Sequence, residues 1–357
     1  MQQDIDNKSE KAYVSNLSFP WIRMAFCLLA AFLCCILAAL IGSVTIAPDA
    51  AIAITFTHLP FIEIKNDWPA SWDIILWELR YPRIALAMLV GAALSVSGAT
   101  YQGLFRNPLA DPYLIGVASG AALGATIVFL SDIPSAIGGI SILPVAAFIG
   151  GIGAVTAAYT LARRSTGTPL TTLILAGVAI GSFTTAVASI LMLRSDPDLR
   201  PVLSWLMGGF IRAQWSQSLY LLPYLIVGFA IVFSYSRILN AMQLEEEYAS
   251  SIGVNVERTK KVLILTATVI TAAAVSFSGL IGFVGLVAPH TARLIWGSDF
   301  RNLIPMSALL GGCFLVLSDL VARTIVSPGE LPVGIITSLV GAPFFIYLLV
   351  RNRSNIQ

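Results

Sequence analysis

Few side chains in this sequence have the types and spacing that catalysis or metal binding requires. The two histidines, His58 and His290, belong to no metal-ligand motif, and the four cysteines lie inside apolar stretches without zinc or redox spacing. None of the five lysines ends a glycine-rich nucleotide-binding loop. The sequence therefore predicts no catalytic residue, no metal site and no cofactor in this chain, and no ATP hydrolysis through such a loop.

Two arrangements leave other activities open. Ser97-Gly98 or Ser278-Gly279 with His290 would suit an intramembrane serine protease, provided that serine and histidine come within hydrogen-bond reach. Asp319 and Arg323 lie four residues apart on one helix face, which is more typical of a local ion pair than of a proton relay. An ion-coupled secondary transporter of a small organic solute remains the alternative function, although carboxylates are nearly absent from the apolar stretches.

The composition indicates a membrane protein. Of 357 residues, 57% are hydrophobic and only 11% are charged, and the mean hydropathy is +0.84. Soluble domains have about 45–50% apolar and about 25% charged residues. The net charge of +2 provides no basic surface for nucleic acid, so lipid is the expected surrounding and nucleic acid is not an expected partner.

Nine charge-free runs are long enough to cross a bilayer as helices. They are 24–48, 84–105, 112–131, 133–162, 165–193, 213–236, 262–289, 302–318 and 331–350. Basic residues near both ends of the chain place both termini in the cytoplasm, which requires an even number of crossings. We therefore expect a short tenth helix after Pro289, over about His290 to Trp296. A single transmembrane domain would then span 21–351, between cytoplasmic tails at 1–20 and 352–357.

Two segments share a pattern that suggests an internal repeat. Ala93 to Pro108 and Ala274 to Pro289 have an alanine, two serines, a glycine and a proline at matching positions. The expected crossings give the two segments opposite directions, and inverted repeats of this kind are typical of transporters. Between the two, the stretch from Arg237 to Lys261 is charged and amphipathic, as expected of an element that contacts a soluble protein.

Several motifs in order resemble those of the FecCD-type permeases, the membrane subunits of ABC importers for iron–siderophore complexes, haem and cobalamin. The resemblance covers about residues 75–350. It rests on Arg80 to Arg83, Gly91 to Gly98, Arg106 to Pro112, Trp205 to Phe210, Gly282 to His290, Asp319 to Arg323, Leu331 to Gly334 and Gly341 to Pro343.

The resemblance implies an all-α membrane protein with ten transmembrane helices per subunit, of the inverted-repeat type II importer architecture. It also implies a homodimer in the cytoplasmic (inner) membrane of a bacterium or archaeon. Two ATP-binding subunits would hold ATP and Mg, and a solute-binding protein outside the membrane would deliver a metal chelate. Which chelate is transported is not written in the sequence.

The resemblance also assigns roles to residues. The docking arginines for the binding protein would be Arg80, Arg83 and Arg323, although such arginines could instead anchor helix ends. The coupling element to the ATPase would span about 244–256 and include Glu245, Glu246, Ala249 and Gly253, although a solvated charged face would look the same.

The translocation path would be lined mainly by the fifth helix. Its candidate residues are Thr172, Ser182, Thr185 and Ser189 on that helix, Trp205 and Gly208 near the outer mouth, and Ser165 and Thr168 in the inner gate. Such a path is expected to bind cargo weakly, because tight binding would prevent release. The same hydroxyls could instead bond to their own helix.

Overall fold

The computed structural model describes residues 21–42, 44–58, 68–134, 136–163, 167–194, 199–244 and 246–353. These residues form an almost entirely helical bundle. The helices are α1 (Trp21–Leu40), α2 (Pro48–Thr57), α3 (Ala70–Ile74), α4 (Tyr81–Leu104), α5 (Val117–Phe129), α6 (Ile142–Ala162), α7 (Leu170–Arg194), α8 (Arg200–Leu206), α9 (Trp215–Ser234), α10 (Ser236–Met242), α11 (Glu246–Ser251), α12 (Val256–Ser278), α13 (Val284–Trp296), α14 (Phe300–Thr324) and α15 (Val333–Arg353).

Three short elements complete the described fold. A π-helical segment, Ile75–Arg80, joins α3 and α4 into one continuous helix of 35 residues. A 3₁₀ turn, Pro112–Ile115, precedes α5. Strands β1 (Ala136–Ile137) and β2 (Ile140–Ser141) pair as an antiparallel hairpin before α6.

Ten of the described helices account for the expected crossings. Seven are long and apolar enough to span a bilayer, namely α1, the α3–α4 helix, α6, α7, α9, α12 and α14. The rest are the short apolar helix α5, the apolar part Val333–Leu348 of α15 and the 13-residue α13. The ten-helix fold predicted from the sequence is confirmed.

The tenth helix begins earlier than predicted. Helix α12 ends at Gly279, whose φ of +69° leaves the helical region, and α13 begins at Val284, so that Pro289 lies inside α13. Proline has no N–H, so the carbonyl of Gly285, four residues earlier, loses its helical donor. The side-chain amide of Gln102 donates to that carbonyl at 3.3 Å. This substitute bond explains why the helix continues through the proline.

Helices α4 and α12 form the antiparallel centre of the bundle. The Ser97 hydroxyl donates to the carbonyl of Ala267 at 3.2 Å, and the Tyr101 hydroxyl donates to that of Ile264 at 3.3 Å. A Cβ at Gly98 would lie 1.9 Å from the carbonyl oxygen of Gly285, so only glycine allows α13 to approach α4 this closely.

The two halves of the bundle repeat one order of helix lengths. In α4 to α7, and again in α12 to α15, a long helix is followed by a 13-residue helix and then by two long helices. Each 13-residue helix follows a residue in the left-handed region, Gly116 at φ +91° and Phe283 at φ +69°. The shared serine–glycine motif occupies different positions, however, because Gly98 lies within α4 whereas Gly279 ends α12.

Candidate functional site

A groove of about 790 Å³ opens beside α7. Its wall on α7 includes Ser182, Thr185 and Ser189, which are exposed and recur at helical spacing on one face. Three of the four path residues predicted on α7 therefore share this groove. Thr172, in the first turn of α7, is half-buried and is not part of the groove wall.

The opposite wall of the groove comes from the 3₁₀ turn and the start of α5. It contains the carboxyl of Asp111, the ring of Tyr113 and the hydroxyl of Ser119. Burial raises the pKa of Asp111 to about 6, although the N–H of Tyr113, which donates to its Oδ1 at 2.7 Å, opposes that shift. Sequence reasoning did not assign these three residues to a path, since only their packing against α7 brings them there.

A second groove has a volume of about 470 Å³. Leu206 and Met207 line it together with Leu280 and Gly282. The Tyr113 hydroxyl, on the wall of the first groove, donates to the carbonyl of Ile281 at 3.0 Å, between those two residues. This bond links the wall of the first groove to the segment 280–282 that lines the second.

The predicted mouth residues hold the segment beside this second groove in place. Gly208 has a φ of +66°, and a Cβ there would lie 2.4 Å from the carbonyl oxygen of Leu280. The carbonyl of Gly208 accepts a bond from the N–H of Val333 at 3.0 Å. The half-buried Trp205 lies directly before this turn, and a Cβ at Gly279 would lie 2.1 Å from its carbonyl oxygen.

Three arginines and two acids form a cluster at one end of the bundle, which we call the arginine cluster: Arg80, Arg83, Asp319, Arg323 and Glu330. Arg83 Nε lies 2.8 Å from both Asp319 oxygens, and Arg83 Nη1 lies 2.8 Å from Glu330 Oε2. Arg323 Nε lies 3.9 Å from Asp319 Oδ2. The local pair predicted from the sequence is present, but Arg83 on α4 is the closer partner.

The remaining guanidinium bonds of this cluster go to carbonyls at the end of α1 and to the carbonyl of Val44 beyond it. Arg80 Nη1 donates to the carbonyls of Ala39 at 2.6 Å and Leu40 at 3.1 Å, and Arg323 donates to the carbonyl of Ala38. Orphan carbonyls at a helix end are thereby satisfied. The three arginines are only 5–7% exposed. The geometry therefore favours the anchoring alternative and disfavours direct docking by these arginines in this conformation.

A second charged cluster, which we call the lysine cluster, lies at the opposite end of the antiparallel α4–α12 pair: Glu246, Glu257, Lys260 and the backbone N–H of Thr168. Lys260 is 4% exposed. Its Nζ lies 2.7 Å from Glu246 Oε2 and 3.2 Å from Glu257 Oε1. The other oxygen of Glu257 accepts the Thr168 N–H at 2.9 Å.

The predicted coupling element forms the short helix α11 and the turn after it. Ala249 on α11 is fully buried, and Gly253 has a φ of +88° just after the helix ends at Ser251. Gly253 therefore lies in the turn that follows α11. Glu245 and the inner-gate residue Ser165 lie outside the described residues.

The described contacts of the candidate protease residues do not form a nucleophile–base pair. Ser97 donates to the carbonyl of Ala267, and Ser278 donates to that of Ala274 at 3.0 Å. His290 instead packs edge-on against the ring of Phe344, with centroids 5.9 Å apart. Within the described ranges, no group of three or more histidine, cysteine, aspartate or glutamate side chains is placed to bind a metal ion.

Comparison with known proteins assigns the chain. Residues 28–351 match the FecCD transport family. The cobalamin import system permease protein BtuC of Halobacterium salinarum is 48% identical over 285 residues, which cover 80% of this chain and 75% of that protein. The hemin transport system permease protein HmuU of Yersinia pestis is 43% identical over 303 residues, which cover 82% of this chain and 89% of that protein.

The fold comparison agrees. A solved inward-facing ABC transporter of the metal-chelate type superposes with a TM-score of 0.80 at 30% identity, over 93% of this chain and the whole of that one. The family motifs fall within the matched region, and so do the apolar spans apart from the start of α1. The chain belongs to the FecCD transport family and is a multi-pass permease of the ABC importer class.

Proposed function

We propose that two copies of this permease form an import path for a metal chelate, namely an iron–siderophore complex, cobalamin or haem. The cargo would come from a solute-binding protein, and a separate ATPase would drive import. The observation that carries this proposal is the family match over residues 28–351, together with relatives named for cobalamin and hemin transport. The end with the arginine cluster would face outward and the end with the lysine cluster would face the cytoplasm.

The groove beside α7 supports a shared path. Ser182, Thr185 and Ser189 stand exposed on a helix that is otherwise apolar enough to face lipid. Hydroxyls on an exposed helix face are expected to meet water or another copy of the chain rather than acyl chains. A second copy across this face would close the open groove into a conduit. Hydroxyls and apolar contacts would hold a large chelate weakly enough to release it.

The position of α11 supports a coupling role. It is a short helix at the proposed cytoplasmic end, with Ala249 packed inward and Glu247 exposed. A partner ATPase that binds differently to two positions of α11 would bias two states of the path. The ATP and Mg would remain on that partner.

Docking of the binding protein needs cations that solvent can reach. Arg200, the first residue of the short helix α8, and Arg212, which follows that helix, are exposed. This region lies at the end with the arginine cluster, because Trp215 Nε1 donates to the carbonyl of Trp77, three residues before Arg80. An exposed guanidinium can make paired bonds to a carboxylate on the partner. We assign direct docking to these two arginines and assign anchoring of the docking face to Arg80, Arg83 and Arg323.

Charge reversal tests the docking assignment. Arg212→Glu with Arg200→Glu should abolish capture of the cognate binding protein, because carboxylates would then repel its acidic residues. Arg237→Glu, an exposed change at the other end of the bundle, is the matched control. The measurement is a pull-down with detergent-solubilised permease. Equal capture by wild type and the double variant would refute the assignment.

Reconstitution tests the whole proposal. The permease would be placed in vesicles with its cognate ATPase, and the binding protein loaded with cobalamin, ferric siderophore or haem would be added outside. Uptake should require ATP and both partners. Import by the purified chain alone, driven by an ion gradient, would instead establish the secondary-transporter alternative.

A substitution in the groove tests the path. Ser182→Phe should slow uptake severalfold, because its ring would fill the groove beside Thr185. Val227→Phe is the control, since Val227 is exposed on α9, away from the groove wall. Uptake that is equally fast in both variants would exclude this face of α7 from the path.

A further inference from the structure

Lys260 is a buried cation held between two different parts of the chain. Its side chain is 5% exposed, whereas those of Glu246 and Glu257 are 34% and 46% exposed. A buried ammonium is strongly disfavoured without an anionic partner. Glu246 belongs to α11 and Glu257 to the first turn of α12, so the lysine fastens the coupling element to α12.

Glu257 extends this connection to a third part of the chain. One carboxylate oxygen contacts Lys260 and the other accepts the N–H of Thr168, which is 3% exposed. The adjacent Gly167 has a φ of +127°, and a Cβ there would lie only 2.9 Å from Glu257 Cδ. The loop before α7 is thus shaped around this carboxylate.

Thr168 stands immediately before the helix that lines the groove. The carbonyl of the next residue, Pro169, accepts the N–H of Leu173 in the first turn of α7. A displacement at Thr168 therefore reaches α7 directly. The contacts from Glu246 through Lys260 and Glu257 to Thr168 connect α11 with the groove wall.

We propose that Glu246, Lys260 and Glu257 are positioning residues that transmit a displacement of α11 to the first turn of α7. This inference rests on the proposed function, since it describes how an ATPase bound at α11 would act on the path. When α11 moves away, Lys260 loses one carboxylate and draws Glu257 toward itself. Glu257 then releases the Thr168 N–H. The lysine cluster thereby has two discrete arrangements, which is what transmission between two sites requires.

Coupled transport provides the first test. In vesicles with the ATPase and binding protein, Glu246→Gln, Lys260→Met and Glu257→Gln should each lower chelate uptake per ATP hydrolysed by about tenfold, within the usual range of coupling free energies. The Lys260→Met/Glu246→Gln double variant should be no worse than Lys260→Met alone, because both changes break one chain of contacts. The matched control for the lysine is Lys261→Met, whose side chain is exposed next to Lys260. The control for the carboxylates is Asp132→Asn, an exposed acid-to-amide change outside α11.

Uptake per ATP in the three variants that equals that of the controls would overturn the proposal. A merely structural role would reduce the amount of folded complex, but it would leave uptake per ATP in the surviving complex unchanged. Glu246→Gln replaces a partly exposed carboxylate by an amide of the same shape and leaves Lys260 its contact with Glu257, so it keeps the test valid if Lys260→Met does not fold.

Amide hydrogen exchange of the purified permease provides a test that needs no ATPase. Glu246→Gln should speed exchange in the segment 167–170, where the Thr168 N–H is bonded to Glu257, and Glu247→Gln should not. Equal exchange in the two variants would overturn the transmission. Wild-type vesicles that show no ATP-dependent uptake would overturn the proposed function instead, and the exchange experiment would still decide the inference.

Discussion

The two charged clusters lie at opposite ends of the same helix pair and differ in how firmly each is held. In the arginine cluster both partners of the central contact are buried, with side chains 9% and 3% exposed for Arg83 and Asp319. In the lysine cluster the cation is buried but both carboxylates are a third to a half exposed. In the arginine cluster, a buried charge that loses its partner has no water to replace it. In the lysine cluster, water can replace a contact that a carboxylate loses.

The difference matches the parts of the chain that each cluster joins. The arginine cluster joins the ends of α1, α4 and α14, which are long helices. The lysine cluster joins a six-residue helix, a loop and the first turn of α12. Short elements with half-exposed contacts are the parts of a protein that rearrange at low cost. We therefore expect one end to act as a fixed frame and the other to move.

The largest effect is expected from breaking the fixed end. Asp319→Asn would leave the guanidiniums of Arg83 and Arg323 buried without a full counter-charge, which should lower the free energy of unfolding by about 3–5 kcal/mol. Thermal unfolding of the purified permease in detergent measures this. Asp132→Asn, an exposed aspartate after α5, is the control and should have little effect.

A double variant separates charge from packing at the same site. Arg83→Met with Asp319→Leu removes both buried charges, and so it should be less destabilising than Asp319→Asn alone. If the free energy of unfolding of Asp319→Asn lies within about 1 kcal/mol of the wild-type value, solvent must reach this cluster, and the contrast between the two ends is wrong.

A smaller effect on stability is expected at the lysine cluster. Lys260→Met retains the apolar stem of the side chain and leaves two carboxylates that are already partly hydrated. It should therefore lower the free energy of unfolding by only about 1 kcal/mol. Its effect on uptake per ATP should nevertheless be large. A loss of stability as great as that of Asp319→Asn would contradict the comparison, since it would make the lysine cluster a second fixed frame.

The sequence predicted the crossings because each span must be apolar over its whole length, which charge-free runs report directly. It misplaced the start of α13, because the predicted span 262–289 continued through Gly279 and stopped at Pro289. In the structure Gly279 ends α12, and Gln102 compensates for Pro289. That bond joins Gln102 to Gly285, 183 positions away in the sequence, and no local pattern indicates it.

Contacts between charged residues that are far apart in the sequence could not be predicted either. Asp319 and Arg323 were expected to pair because they are four residues apart, but Arg83, 236 positions away, is the closer partner. Lys260 and Glu257 are near neighbours in sequence, whereas the bond from Thr168 to Glu257 crosses 89 positions. Residue types and helix faces could therefore be predicted, but the assembly of each cluster depends on tertiary packing.

The smallest effect concerns pH at the groove. Burial raises the pKa of Asp111 from 3.8 to about 6, so the folded chain binds this proton more tightly than the unfolded chain does. The resulting stabilisation is complete below the ordinary pKa and is lost as the pH rises through about 6. Lowering the pH from about 7 to about 6 should raise the free energy of unfolding by about 0.4 kcal/mol.

Asp111→Asn should remove this contribution, because the amide resembles the neutral carboxylic acid at every pH. Asp299→Asn is the opposite control. Burial of Asp299 raises its pKa, but bonds from Arg301 and Asn240 outweigh burial and lower it, so its stabilisation is lost only as the pH falls through that lowered value. Equal pH slopes for wild type and Asp111→Asn would show that Asp111 is hydrated in the groove. A neutral Asp111 below about pH 6 would also leave the groove wall uncharged. The charge of the proposed path would then depend on the pH at the end of the bundle that has the lysine cluster, which we expect to move.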